Sequence, residues 1–103
     1  MKLYIHSDCR ISLLGLRDNM TGLYINDATV TGRVIRDGVQ ITDDLTFTYK
    51  PDSRGDYITD VDNSLALAEK DGILYYLEVT VVCLGKTTTF RERVEPVYKS
   101  ENN

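Results

Sequence analysis

Hydrophobic and polar residues alternate with a period of two over most of the chain, and turn residues interrupt them roughly every eight to twelve positions. Residues 9–14, Cys9-Arg10-Ile11-Ser12-Leu13-Leu14, alternate weakly and predict a first strand. A loop from Gly15 to Gly22 follows, with turn signals at Asp18-Asn19 and Thr21-Gly22, and Asn26-Asp27 marks a further turn. Over 28–36, Ala28, Val30, Gly32 and Val34 share one face and Thr29, Thr31 and Arg33 the other, the pattern of a half-buried strand. Gly32, in its middle, predicts a bulge or a close packing contact. Asp37-Gly38 is a strong hairpin turn. Leu45, Phe47 and Tyr49 then alternate with Thr46, Thr48 and Lys50 until Pro51 ends the strand by removing a ladder donor.

A loop over 52–55 leads to a short strand from Asp56 to Val61, with Tyr57, Thr59 and Val61 inward, and Gly55 supplies the turn before it. Residues 64–70 fit one helical turn or a short strand, and Asp71-Gly72 is a turn. The longest strand signal is 73–84. Ile73, Tyr75, Leu77, Val79, Val81 and Cys83 share its inner face. Leu74, Tyr76, Val82 and Leu84 point outward beside Glu78 and Thr80. A sheet face in water is polar, so this apolar excess predicts cover, either by a partner or by the chain's own N-terminus. Gly85-Lys86 closes a hairpin, and 87–97 returns antiparallel with Phe90 and Val94 inward.

These signals predict an all-β domain, an antiparallel β-sandwich of about seven strands, with a small barrel as the competing arrangement. The domain spans 9–98, preceded by an N-terminal arm or edge strand over 1–8 and followed by a flexible polar tail over 99–103. At 103 residues the chain makes one domain, and 42% hydrophobic residues suffice for one modest core.

Charge and cysteine content remove several classes of function. The net charge of −4 carries no basic block, which argues against nucleic acid as a partner. No apolar run is long enough for a membrane helix. The start, Met1 to Asp8, has no apolar signal region, which predicts synthesis and retention in a reducing cytoplasm. Cys9 and Cys83 are too few for a disulfide framework or a zinc site. They read as small apolar residues, with a Cys9–Cys83 bridge as the alternative.

Each chemical motif has a simpler structural explanation. Arg54-Gly55-Asp56 spells an adhesive tripeptide, but Gly55 is a turn and Asp56 starts a strand. Asp56, Asp60, Asp62 and Asn63 offer oxygen ligands without a calcium loop around them. His6 is the single histidine and sits in the N-terminal segment, and nothing near Cys9 except Arg10 would activate its thiol. Asp43-Asp44 is a solvated turn pair, and the glycines sit singly at turns. Arg91 and Arg93 share a strand face and are placed for cross-strand pairing with Glu78. The sequence therefore predicts no catalytic residue, no cofactor and no metal.

An ordered set of short motifs spans about four fifths of the chain. They are Gly15-Leu16-Arg17-Asp18, the run Thr21 to Thr31, Asp37-Gly38-Val39, Gly55-Asp56-Tyr57, Leu65-Ala66-Leu67, and Gly72 with Tyr75 three positions on. In these the chain resembles a family of small proteins encoded in bacteriophage structural-gene regions. Members carry a Trp-Pro pair on the strand after the Asp-Gly hairpin; here that strand reads Thr46-Phe47-Thr48-Tyr49, which leaves the aromatic role to Phe47. The resemblance implies an immunoglobulin-like virion component, serving in head decoration, head–tail joining or fibre association.

In that setting Asp71-Gly72-Ile73-Leu74-Tyr75 is similar to a tyrosine corner, with the Tyr75 hydroxyl bonding back to upstream backbone. The expected role is docking onto capsid, portal, neck or tail proteins in many symmetric copies. The expected contacts are Leu23, Tyr24 and Ile25 from the first long loop and Leu74, Tyr76, Val82 and Leu84 from the longest strand. Gly38, Gly55, Gly72 and Tyr75 are the expected structural residues. The alternative is a carbohydrate- or host-surface-binding module using Tyr4, Tyr24, Tyr76 and Tyr98.

Overall fold

The computed structural model describes residues 1–5, 7–18, 20–62, 67 and 73–98. These form eight strands: β1 Lys2–Ile5, β2 Cys9–Leu13, β3 Thr29–Arg36, β4 Val39–Gln40, β5 Leu45–Tyr49, β6 Tyr57–Val61, β7 Tyr75–Cys83 and β8 Lys86–Tyr98. The fold is all-β. The strands follow one path, β1-β8-β7-β3-β5-β6-β2, with β4 added beside β3, and the sheet is nearly barrel-shaped.

The alternation seen in the sequence sets the faces. Tyr75, Leu77, Val79 and Val81 of β7 are buried and meet Val30 and Val34 of β3 on the same side. From the other end of the path, Ile11 and Leu13 of β2 and Tyr57 and Val61 of β6 complete one continuous core. Burying each such side chain contributes about 1.5–3 kcal/mol, so this cluster supplies the main stabilising term. β5 turns the corner between the two halves: Leu45–Phe47 pair with β3, whereas Thr48 and Tyr49 pair with β6.

Gly32 is a close contact and not a bulge, because the ladder runs unbroken through it to Leu45 on one side and Val79 on the other. A Cβ there would come within 2.9 Å of the Phe47 ring, so the small residue lets Phe47 lie across β3. Asp37 and Gly38 both have positive φ (47° and 85°), the backbone of a tight two-residue hairpin turn.

Four expectations need correction. The sheet is not wholly antiparallel, because β1 pairs parallel with β8, Lys2 opposite Glu95 through Ile5 opposite Tyr98. The N-terminal segment therefore extends the sheet edge, with Leu3 and Ile5 in the core, and does not cover the outward face of β7. Among the described residues there are eight strands where about seven are expected: β1 and the two-residue β4 add to the six read from the pattern, and most of the ambiguous 64–70 segment lies outside the described residues. The β7–β8 turn is Leu84-Gly85 and not Gly85-Lys86: Cys83 pairs with Lys86, and φ is positive at both intervening residues (51° and 75°). Leu84 thus belongs to a turn tip and not to a strand face. Gly72, Leu65-Ala66, residues 68–70, His6, Asn63 and the tail 99–103 lie outside the described residues.

Candidate functional site

The two longest strands end in a hairpin whose inner face is only partly covered. Along β7, Leu77, Val79 and Val81 are buried. Their neighbours across the ladder on β8 are Glu92, Phe90 and Thr88, and all three are exposed. Apart from Phe90, the inward positions of β8 are polar until Val94, where the core begins again. β1 covers the outer edge of β8 only from that level on. The Met1 amino group donates to the Arg93 carbonyl (3.3 Å), and the Glu95 N–H donates to the Met1 carbonyl (2.9 Å). Among the described residues, no strand pairs with the outer edge from Lys86 to Glu92; the Met1 amino group reaches this stretch at the Glu92 carboxylate, 3.7 Å away.

Opposite this strip stands an arm built from the loop between β2 and β3. Leu16 and Ile25 are joined by a backbone bond of 2.8 Å, Asp18 donates its N–H to the Leu23 carbonyl at 2.9 Å, and Arg17 bridges to Tyr24. The Asp18 carboxylate accepts the N–H groups of Met20 (2.7 Å) and Thr21 (3.2 Å) and so shapes the tip. These two bonds, with a smaller contribution from Lys86, hold that carboxyl below its usual range.

The arm is tied to the body at its base. The Leu16 N–H donates to the Gly55 carbonyl, and the Gly55 N–H donates to Asn26 Oδ1, both at 2.8 Å. Gly15 N–H donates to Asp56 Oδ1, also at 2.8 Å. The buried Tyr57 hydroxyl donates to the Ile25 carbonyl (2.9 Å) and accepts from the Ala28 N–H (3.1 Å). Gly55 has φ +70°, and a Cβ there would lie 2.5 Å from the Leu16 carbonyl, so no other residue fits under the arm.

Between arm and hairpin lies a groove of about 500 Å³. Leu16, Met20 and Ile25 form one wall, Val81 and Cys83 the floor, and Thr88 and Phe90 the other wall. Leu84 and Lys86 stand at its hairpin end. Leu84 is 90% exposed and Met20 87%, so large apolar side chains project into water around an apolar cleft.

The sequence-predicted contacts do not make one patch. Ile25 and Leu84 line the groove. Leu23 projects from the arm, and the Tyr24 ring is capped by the Arg17 guanidinium 4.4 Å above it, with a hydrogen bond from Arg17 to the Tyr24 hydroxyl. Tyr76 and Val82 lie on the outer face of β7, Tyr76 half-buried across from Ile35. Leu74 precedes β7, its N–H donating to Asp37 Oδ1. Tyr75, the first residue of β7, is fully buried. Phe90, Met20 and Leu16 also line the groove, and the sequence pattern does not single them out as contact residues. The signal for Phe90 was present: Lys86, Thr88 and Glu92 occupy every other inward position of that stretch, and a strand facing a core does not read that way.

Other candidates are occupied by structural partners. Asp56 of the Arg54-Gly55-Asp56 tripeptide is half-buried and holds Gly15. The Asp60 carboxylate takes Arg10 at 2.9 and 3.4 Å, which keeps it below the ordinary range. Among the described residues no group of three or more His, Cys, Asp or Glu is placed to hold a metal ion. Cys9 and Cys83 are unbridged and half-buried; Cys9 Sγ accepts the Tyr4 N–H at 3.1 Å. On the outer face Glu78 joins Arg91 and Arg33, each at 2.7 Å, while Arg93 stands opposite Tyr76. The described residues contain no helix long and apolar enough to cross a membrane.

Comparison with protein-family models, curated proteins and solved structures found no match for this chain.

Proposed function

We propose that this chain is a bacteriophage virion structural protein that works by docking onto other virion proteins and performs no catalysis. The observation that carries the docking role is the stretch of β8 that no strand pairs among the described residues, lying beside an open apolar groove. An extended segment added to such an edge gains backbone hydrogen bonds along its length, and its alternate side chains drop into the cleft. Affinity then comes from the edge, and specificity from Phe90, Leu84 and Ile25. The arm's internal bonds keep the groove open before the partner arrives, which lowers the ordering cost of association.

The virion setting rests on the sequence resemblance, and the strand order is compatible with it. In an immunoglobulin-like sandwich one layer runs B-E-D and the other C-F-G. Taking β2, β6 and β5 as the first layer and β3, β7 and β8 as the second satisfies that order, with β1 on the outer edge of the last strand and β5 closing the corner. Tyr75 then stands at the start of strand F, the tyrosine-corner position. In this reading the protein is made in the bacterial cytoplasm and assembles in several copies onto capsid, portal, neck or tail proteins, with neither nucleic acid nor membrane as partner.

The test is quantitative mass spectrometry of purified virions from the host that carries this gene, scaled to the major capsid protein. Hundreds of copies place it in head decoration, and about a dozen or fewer place it at the neck, tail or fibre. Absence from the particle overturns the proposal and leaves a soluble binding module, to be probed on a glycan panel.

A further inference from the structure

We infer that the first occupant of the β8 edge is a second copy of this chain, paired antiparallel about a two-fold axis that passes between the two Thr89 residues. The inference rests on the reading of β8 as a docking edge and adds the identity and register of the partner.

The backbone decides which groups are on offer. The Arg93 carbonyl and Glu95 N–H face β1, away from β7. Hydrogen-bonding direction alternates along a strand, so Thr87, Thr89 and Arg91 also aim their N–H and C=O outward. The hairpin end agrees: Cys83 and Lys86 flank a two-residue turn, so Lys86 aims inward at β7. Antiparallel pairing of two such edges must oppose odd positions with odd ones.

The free stretch has definite ends. Lys86 begins it at the turn, and Met1 closes it at Arg93. Its midpoint is Thr89, so pairing the whole stretch with its own copy fixes the register. Lys86 then lies opposite Glu92 of the other copy, Thr87 opposite Arg91, Thr88 opposite Phe90, and Thr89 opposite Thr89. No like charges lie opposite each other, and the two Lys86–Glu92 pairs are attractive, each Glu92 being shared with the Met1 amino group of its own chain 3.7 Å away. Phe90 covers the Thr88 of its mate, an aromatic and β-branched pair of the kind that stabilises sheets.

Registers shifted toward β1 fail, and registers shifted toward the turn leave part of the free stretch unpaired. Moving the axis to Phe90 sets Lys86 of one copy opposite Val94, where Met1 already sits. Moving it to Arg91 sets Arg91 against Arg91. Edge charges ordinarily discourage strand addition; here the register that pairs the whole stretch also sets Lys86 against Glu92.

Two sets of variants of the full chain test the inference. In the paired copies position 89 faces itself at the Cα spacing of a hydrogen-bonded pair, about 5.5 Å, within the range a disulfide spans. Position 87 faces position 91 of the mate, so the two copies of position 87 lie roughly 13 Å apart along the strand direction. Both positions are exposed on the same face. Thr89→Cys should form a disulfide-linked dimer under mild oxidation and Thr87→Cys should not, with the linked peptides mapped to exclude Cys9 and Cys83.

Sedimentation equilibrium supplies the second readout. The wild-type chain should associate to a dimer. Lys86→Glu and Glu92→Lys should each weaken it by about five- to tenfold, and the double variant should restore it. A wild-type chain that stays monomeric at the highest concentration reached, or equal cross-linking at positions 87 and 89, overturns the self-pairing. If those variants nevertheless lower incorporation into particles, the edge serves a different protein: the self-pairing falls and the docking reading stands.

Discussion

Val79 and Phe90 face each other across the β7–β8 ladder on the same side of the sheet, yet Val79 is fully buried and Phe90 is 36% exposed. Val79 is covered by the core packed against β7, whereas among the described residues the inner face of β8 has no layer above it at this level. The two residues should therefore separate stability from docking. Val79→Ala removes packed core atoms and is expected to lower unfolding free energy by about 2–3 kcal/mol. Phe90→Lys is expected to cost less than about 1 kcal/mol. Chemical denaturation of both variants checks the contrast, and equal losses would mean that the groove is part of the core.

Leu84 stands at the first turn position of the β7–β8 hairpin with φ 51°, a conformation that a side chain with a Cβ adopts at a cost. Asparagine is the favoured residue there before glycine. Leu84→Asn is expected to raise stability by about 1 kcal/mol while weakening docking, since Leu84 is a groove contact. A thermal melt together with a binding or assembly assay checks both parts. A variant that gains stability and docks as well as wild type would leave the leucine unexplained.

Tyr57 anchors the arm through two hydrogen bonds to a hydroxyl that burial keeps un-ionised, its pKa pushed up by desolvation. Tyr57→Phe leaves the Ile25 carbonyl and the Ala28 N–H without that partner and is expected to cost about 1–3 kcal/mol. Amide hydrogen exchange should then accelerate at Ile25 and Ala28 before it accelerates in β7. A uniform change across the chain would show that the hydroxyl does not act on the arm.

Acid should weaken the ion pairs of the outer face. Arg91 and then Arg33 hold the Glu78 carboxyl below its ordinary value of 4.5. A carboxyl whose pKa is lowered by folding stabilises the fold fully above its ordinary value, and that stabilisation is lost as pH falls through the folded value. Glu78→Gln should therefore melt lower than wild type near neutrality, and the gap should narrow below pH 4.5. A gap that stays constant down to about pH 3 contradicts the linkage.

The strands that build the core were legible because burial on one face imposes a period of two. Tyr75, Leu77, Val79 and Val81 announce β7, and Val30, Gly32 and Val34 announce β3. The arm was not legible. It is held by single contacts between distant residues, Asn26 to Gly55, Asp56 to Gly15 and Tyr57 to Ile25, and no periodicity records such bonds. The parallel pairing of β1 with β8 joins the two ends of the chain, which local pattern cannot report. The hairpin turn lies one residue earlier than the pattern indicates, because leucine is a rare occupant of a left-handed position and the pattern sets Gly85 with the residue after it. The groove is half legible: Leu84 and Ile25 stand out as apolar residues outside the core pattern, whereas Phe90 alternates like a core residue and only its polar neighbours on the same face mark it as open.

The docking role is tested most directly by counting copies of Phe90→Lys in assembled particles, with wild type and variant expressed at equal soluble levels and melting within a few degrees of each other. The account predicts that wild-type chain is incorporated and that the variant falls by at least about tenfold, because a charge is placed in the groove that receives the partner. Incorporation of the variant at the wild-type level would contradict it, and docking would then have to be sought on the outer face around Tyr76 and Val82.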